Sequence, residues 1–196
     1  MTVVEICNLA LSKLGCNPIQ TFGDTSTAEG IQCAANYTAS RDTVLESAEW
    51  TFNDGQIQPS QAAGSPLVEF KYAWIIPTNV LSVRSASDVN GHDLQHDWKR
   101  AGGFVLTNDT PVYLTVGYKV DDTTSFSAGF CAALATYLAA EMCIALTENN
   151  NRETALRAEY QMKFDEAKYI DGKQGSPQSM RPIPLPGRTQ SWRSGR

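Results

Sequence analysis

Residues 112–146 read VYLTVGYKVDDTTSFSAGFCAALATYLAAEMCIAL, and the spacing of their apolar side chains changes partway along. Up to Val120 it is two: Val112, Leu114 and Val116 fall on one face and Tyr113 and Thr115 on the other, as in a strand with one buried side. From Phe126 it becomes three and four. Phe130, Leu134, Tyr137, Leu138, Met142 and Leu146 then form one stripe, and the alanines between them predict close packing against another helix. A strand feeding directly into a helix of this kind predicts an α+β protein.

Upstream, residues 66–120 carry aromatic and β-branched side chains bounded by Gly, Asn, Asp and Pro, the composition of short antiparallel strands. Four are expected: Val68 to Ile75, Asn79 to Arg84, Gly103 to Thr107 and Val112 to Val120, with Asn90-Gly91 and Asn108-Asp109 as turns. Before them, Val3, Cys7, Ala10, Leu11 and Leu14 share one helical face that stops at Gly15. A second helix is expected to start at Ser26, whose spacing to Glu29 suits a capping box, and to run to about Glu49 with Trp50 and Phe52 closing its end. Downstream, Asn149-Asn150-Asn151 separates the alanine-rich helix from a last one over about Arg152 to Ile170, with Leu156, Tyr160, Phe164 and Ala167 inward.

The expected fold is therefore an antiparallel four-helix bundle with a small antiparallel β-sheet inserted between helices 2 and 3, and an extended C-terminal arm. Its parts are 1–53, an N-terminal helical pair; 66–120, the β insertion; 125–171, a C-terminal helical pair; and 172–196, the arm.

Composition narrows the function. A chain of 196 residues with 42% hydrophobic and 19% charged residues can bury a core without metal or disulfide staples. No apolar run near twenty residues stands out and no secretory signal is visible, so a soluble protein folded in a cytoplasm is expected. Five cysteines form no C-x-x-C pair and cannot all be bridged. A net charge of -5 argues against a broad basic surface that holds nucleic acid by releasing counterions.

Few residues suggest chemistry. His92-Asp93 and His96-Asp97 form the one histidine–carboxylate cluster, but it follows a turn, and neither a third ligand nor an H-E-x-x-H is present; a solvent-exposed turn is the expectation. No G-x-S-x-G elbow or Gly-rich phosphate loop occurs. Cys7, Cys33, Cys131 and Cys143 lie in apolar helical patterns and are expected to be buried structural thiols. The acidic residues are dispersed. No catalytic residue, cofactor or metal is expected.

Beyond Asp171-Gly172 the composition turns to Gly, Ser, Pro and Arg. Twenty-five such residues can extend about 75 Å at roughly 3.1 Å each. Arg181, Ile183, Leu185, Arg188, Trp192, Arg193 and Arg196 suit an arm that orders on a partner, with apolar anchors and arginine donors.

Several features coincide in order: Asn8, Leu11, Leu14, Gly15 and Pro18 as Asn-x-x-Leu-x-x-Leu-Gly-x-x-Pro; Arg41 through Glu49-Trp50-Thr51-Phe52-Asn53; Ile76-Pro77-Thr78-Asn79-Val80-Leu81 before Arg84; Gly103 to Asn108; Val112 to Tyr118; and Leu134 to Ala140. Over about residues 3–172 the chain resembles the tail tubular protein A family, the head-to-tail adaptors of short-tailed bacteriophages. The resemblance implies a structural virion protein in the phage tail, assembled in the host cytoplasm. It implies a ring of about twelve copies between the portal protein and a tail nozzle of tail tubular protein B type, continuing the channel through which DNA passes without specific binding. It also implies that the arm, through Arg181, Ile183, Leu185, Arg188, Trp192, Arg193 and Arg196, docks on the portal. Against it stand a non-phage binding module and a metal-dependent enzyme using the His92/His96 loop.

Overall fold

The computed structural model describes residues 1–64, 66, 69–95 and 97–174. Helices α1 (Val3–Leu14) and α2 (Ala28–Glu46) come first. Seven strands follow, β1 (Asp54–Ile57), β2 (Ser60–Gln61), β3 (Tyr72–Ile75), β4 (Val80–Ser87), β5 (Trp98–Ala101), β6 (Phe104–Thr107) and β7 (Tyr113–Tyr118), and then α3 (Ala128–Thr147) and α4 (Asn150–Gly172).

Local chemistry sets the helix boundaries. Thr2 and Glu5 form a reciprocal capping box at α1, and Gly15 ends it with φ 71°, a left-handed backbone that a side chain would strain. The expected Ser26–Glu29 cap of α2 is displaced by one residue. Asp24 takes the Ser26 amide and hydroxyl at 2.8 and 2.6 Å, so Thr27 becomes the cap and accepts from the Gly30 amide. Helix α2 ends at Glu46 rather than Glu49, because the chain must turn to bring Trp50 into the core. Asn149 caps α4 through the Arg152 amide.

The expected four-helix bundle with one small inserted sheet is wrong on both counts. The helices are arranged around α3, which packs against α1, α2 and α4, while α1 and α2 touch little. The reason lies in composition: Phe130, Cys131, Leu134, Leu138, Met142 and Cys143 point to several sides of α3, and the alanines between them are buried too. A helix apolar all round takes a central place, whereas a bundle corner needs a single stripe. At Gly129 a Cβ would lie 3.1 Å from the Cβ of Ala167, which measures how closely α3 and α4 approach. Contrary to the expectation that no such segment exists, α3 is long and apolar enough to cross a membrane by length and composition, at mean hydropathy 1.7; here 61% of that window is buried within the fold.

The β region is two antiparallel sheets, β1-β7-β4 and β2-β3-β6-β5. Their facing sides make a second core, in which Ala86, Leu114 and Val116 of the first sheet meet Trp74 and Val105 of the second. The period-two reading of β7 holds, with Leu114 and Val116 fully buried. Strands β1, β2 and β5 were not expected. Asp-Gly-Gln-Ile, Ser-Gln and Trp-Lys-Arg-Ala lack apolar alternation, and pairing with β7, β3 and β6 is what makes them strands.

Candidate functional site

The residues that carried the family resemblance are those that fix the chain's path. Asn8 on α1 reaches across the turn after Gly15: its amide donates to the Ile19 carbonyl at 3.0 Å and its oxygen accepts the Ile19 amide at 2.8 Å. Trp50 is fully buried and donates its indole N–H to the Val44 carbonyl at 3.0 Å. Its ring meets Phe52, Phe130 and Phe164, which come from three different segments. Asn53 accepts from Arg84 Nη2 at 2.7 Å, while Arg84 Nη1 binds Asp54 at 2.7 Å, tying the segment after α2 to β4. Where that junction meets β7, a Cβ on Gly117 would lie 2.6 Å from Ser82 Oγ and 3.2 Å from Arg84 Nη2, so the position favours glycine.

The decisive member is Thr51. Its amide and hydroxyl donate to the two carboxylate oxygens of Asp171, at 2.7 and 2.9 Å. Asp171 is 3% exposed and sits in the last turn of α4. This clamp ties the segment after α2 to the C-terminal end of α4. Sequence reasoning missed it, although a signal was present: a carboxylate in the last turn of a helix opposes the helix dipole and so requires donors from elsewhere.

Beside the clamp lies a groove of about 600 Å³ between Glu46 at the end of α2, Ala48 and Glu49 just beyond it, Val83 of β4 and the end of α4 (Lys168, Gly172). A second charged junction lies at the start of the linker to α3. Arg41, 5% exposed, binds Asp42 through Nε and Nη2 at 2.8 and 2.7 Å and Asp121 through Nη1 at 2.6 Å; Lys119 adds a 3.2 Å contact to Asp42. Ion pairing satisfies this buried guanidinium, which joins α2 to the segment after β7.

The sequence candidates for chemistry are not brought together. His92 is exposed on a turn, its Nδ1 3.3 Å from Asp88, and His96 lies outside the described residues. Among the described residues no group of three His, Cys, Asp or Glu side chains could hold a metal. Cys7, Cys33, Cys131 and Cys143 are buried, and Cys16 is half-buried. A hydrogen bond to Cys33 and burial push the Cys7 thiol far up, and burial raises that of Cys131, so neither is poised as a thiolate. Burial likewise pushes Tyr37 to about 12. The arm residues Arg181, Ile183, Leu185, Arg188, Trp192, Arg193 and Arg196 lie outside the described residues.

No family model and no curated protein matches this chain.

Proposed function

We propose that this protein is a structural head-to-tail adaptor of a short-tailed bacteriophage virion, a ring of about twelve copies that joins the portal to the tail nozzle and continues the DNA channel. The reading rests on the ordered set of sequence motifs by which the chain resembles the tail tubular protein A family. Its support is physical: Asn8, Trp50, Thr51, Asn53 and Arg84 of those motifs hold turns and junctions together. An adaptor needs a rigid body that presents a docking element in a fixed direction. The Thr51–Asp171 clamp supports this reading by fastening the end of α4, a few residues before the Pro/Arg-rich segment begins in the sequence. With -5 per chain, a ring is acidic overall, which favours passage of DNA without adhesion.

The test is the mass of the purified chain alone and after mixing with the cognate portal, for the full chain and for one truncated near Gly172. A ring that forms on the portal only with the arm present is the expected result. Absence of any complex at every salt concentration tried refutes the adaptor reading.

A further inference from the structure

The two sheets differ in what they turn away from their shared core. In β1-β7-β4 the register sets Gln56, Thr115 and Ser85 side by side, the polar row expected where an antiparallel sheet meets water. In β2-β3-β6-β5, Ile75, Phe104 and Ala101 form one cross-strand row, and Ala73, Leu106 and Lys99 form the next but one. Trp74 and Val105 lie between these rows and are buried in the core between the sheets, so by alternation both rows face outward. Ile75 and Phe104 are 44% and 41% exposed, which leaves an apolar patch on the water side. Its charge is positive: Lys99 stands in the second row, Lys71 continues the alternation just before β3, and the four strands contain no Asp or Glu. Lys71 has no ion-pair partner among the described residues, and Lys99 has only a 3.8 Å contact to the exposed Glu69.

Another apolar surface lies on α4. Leu156, Phe164 and Ala167 face the core, and Met162, Glu166 and Tyr169, spaced by four and three, fall on the opposite side with Asp165 beside them. Met162 and Tyr169 are 68% and 65% exposed. Asp165 accepts only from Gln161 of the same helix, and neither it nor Glu166 forms an ion pair among the described residues.

We infer that these surfaces are the two halves of one contact between copies of this chain. The outer face of β2-β3-β6-β5 in one copy receives the outward side of α4 of the next, with Met162 and Tyr169 over Ile75, Phe104 and Leu106, and Asp165 and Glu166 towards Lys71 and Lys99. Charge selects this occupant. Sheet against sheet would set lysines against lysines and helix against helix would set carboxylates against carboxylates, whereas the mixed pairing joins opposite charges around an apolar centre. Size agrees: β3, β6 and β5, four residues each, make a face about 13 Å long and 10 Å across. A helix with its side chains is about 10 Å thick, and Met162 and Tyr169 are about 10 Å apart along the axis. Because the two halves differ, the contact is heterologous, and each copy keeps one half of each kind for a further neighbour. The contact stands on register, exposure and charge; its place between neighbours of a ring rests on the adaptor reading.

The experiment uses the full-length chain with p-benzoylphenylalanine in place of Phe104, irradiated as a mixture of unlabelled and isotope-labelled chains. The excited ketone takes a hydrogen from a neighbouring C–H bond and joins its carbon, so no group is lost, and peptide mass mapping locates the link. Links from position 104 to α4 between Ala158 and Tyr169 of a different chain are the expected result. In a second arm, sedimentation equilibrium compares the unaltered chain with Lys71→Glu plus Lys99→Glu, with Asp165→Lys plus Glu166→Lys, and with all four changes together. Each pair should weaken self-association several-fold, and the four together, which exchange the signs, should restore it. Links within one chain only, links to the partner's sheet or elsewhere, no self-association of the unaltered chain up to about 1 mM, or a fourfold variant no better than either pair overturns the inference. Portal mixing separates this contact from the adaptor reading: mapped links without portal binding remove the adaptor role and keep the contact, and a portal-bound ring whose links map elsewhere does the reverse.

Discussion

Replacing Asp171 with Ala should destabilise the fold by about 2–3 kcal/mol. The carboxylate is 3% exposed and accepts two hydrogen bonds from Thr51, at 2.7 Å from the amide and 2.9 Å from the hydroxyl. Each hydrogen bond to a charged group contributes roughly 1.5–3 kcal/mol, but the Thr51 side of the pair reaches solvent, and a freed hydroxyl can rehydrate, so the sum falls near the value for one. For a chain of this size that loss lowers Tm by about 5–10 °C. Thr51→Val keeps the amide bond and removes the hydroxyl, for a loss of about 1 kcal/mol. The double variant should lose less than the two single losses combined, because the hydroxyl's partner is already absent. Urea unfolding followed by far-UV dichroism measures all four chains. A loss below about 0.5 kcal/mol for Asp171→Ala, or full additivity in the cycle, would refute the clamp as the element that fastens the end of α4.

Gly30→Ala should destabilise although alanine is the better helix former by about 1 kcal/mol, because its Cβ would meet the Asp24 carbonyl oxygen at 2.2 Å; a gain in Tm contradicts the packing. Asp42→Ala should cost more than Asp121→Ala, which should stay within about 0.5 kcal/mol, since the side chain of Asp121 is 76% exposed and that of Asp42 only 25%; equal losses in denaturant titrations would contradict this. Three turn carboxylates titrate low. Asp24 is held down chiefly by the Ser26 hydroxyl, Asp88 by the His92 amide and Asp122 by the Thr124 amide. Because their folded values are depressed, the stability they contribute is complete above the ordinary value near 3.9 and is lost as pH falls through the folded ones. Amide shifts of Ser26, His92 and Thr124 in an acid titration should therefore have midpoints below that of a free aspartate, and midpoints at or above about 4 would contradict the hydrogen-bonding pattern.

How much was legible follows from the range of each interaction. The stripes of α1 and α4 and the alternation of β7 announce themselves because neighbours three, four or two residues apart share a face. The cap of α2 was misplaced by one residue because Asp24 competes for Ser26, a contest between adjacent hydrogen bonds that spacing alone does not decide. Strand β5 was invisible because Trp-Lys-Arg-Ala has no pattern of its own and is extended by pairing with β6. The candidate site divides in the same way. The motif residues Trp50, Thr51 and Asn53 were visible, whereas Asp171 was seen only as a helix end.

The sequence by itself determined the helical and extended character of most segments, the inward faces of the amphipathic helices, the buried class of four cysteines and the break in composition at residue 172. Only the tertiary structure decided that α3 is a hub, that the strands divide into two sheets with their own core, and that Thr51 meets Asp171 across 120 residues of chain. The physical reason is that periodicity records which side of an element avoids water, while the partner that covers that side is selected by shape and by hydrogen-bond satisfaction between segments far apart in sequence.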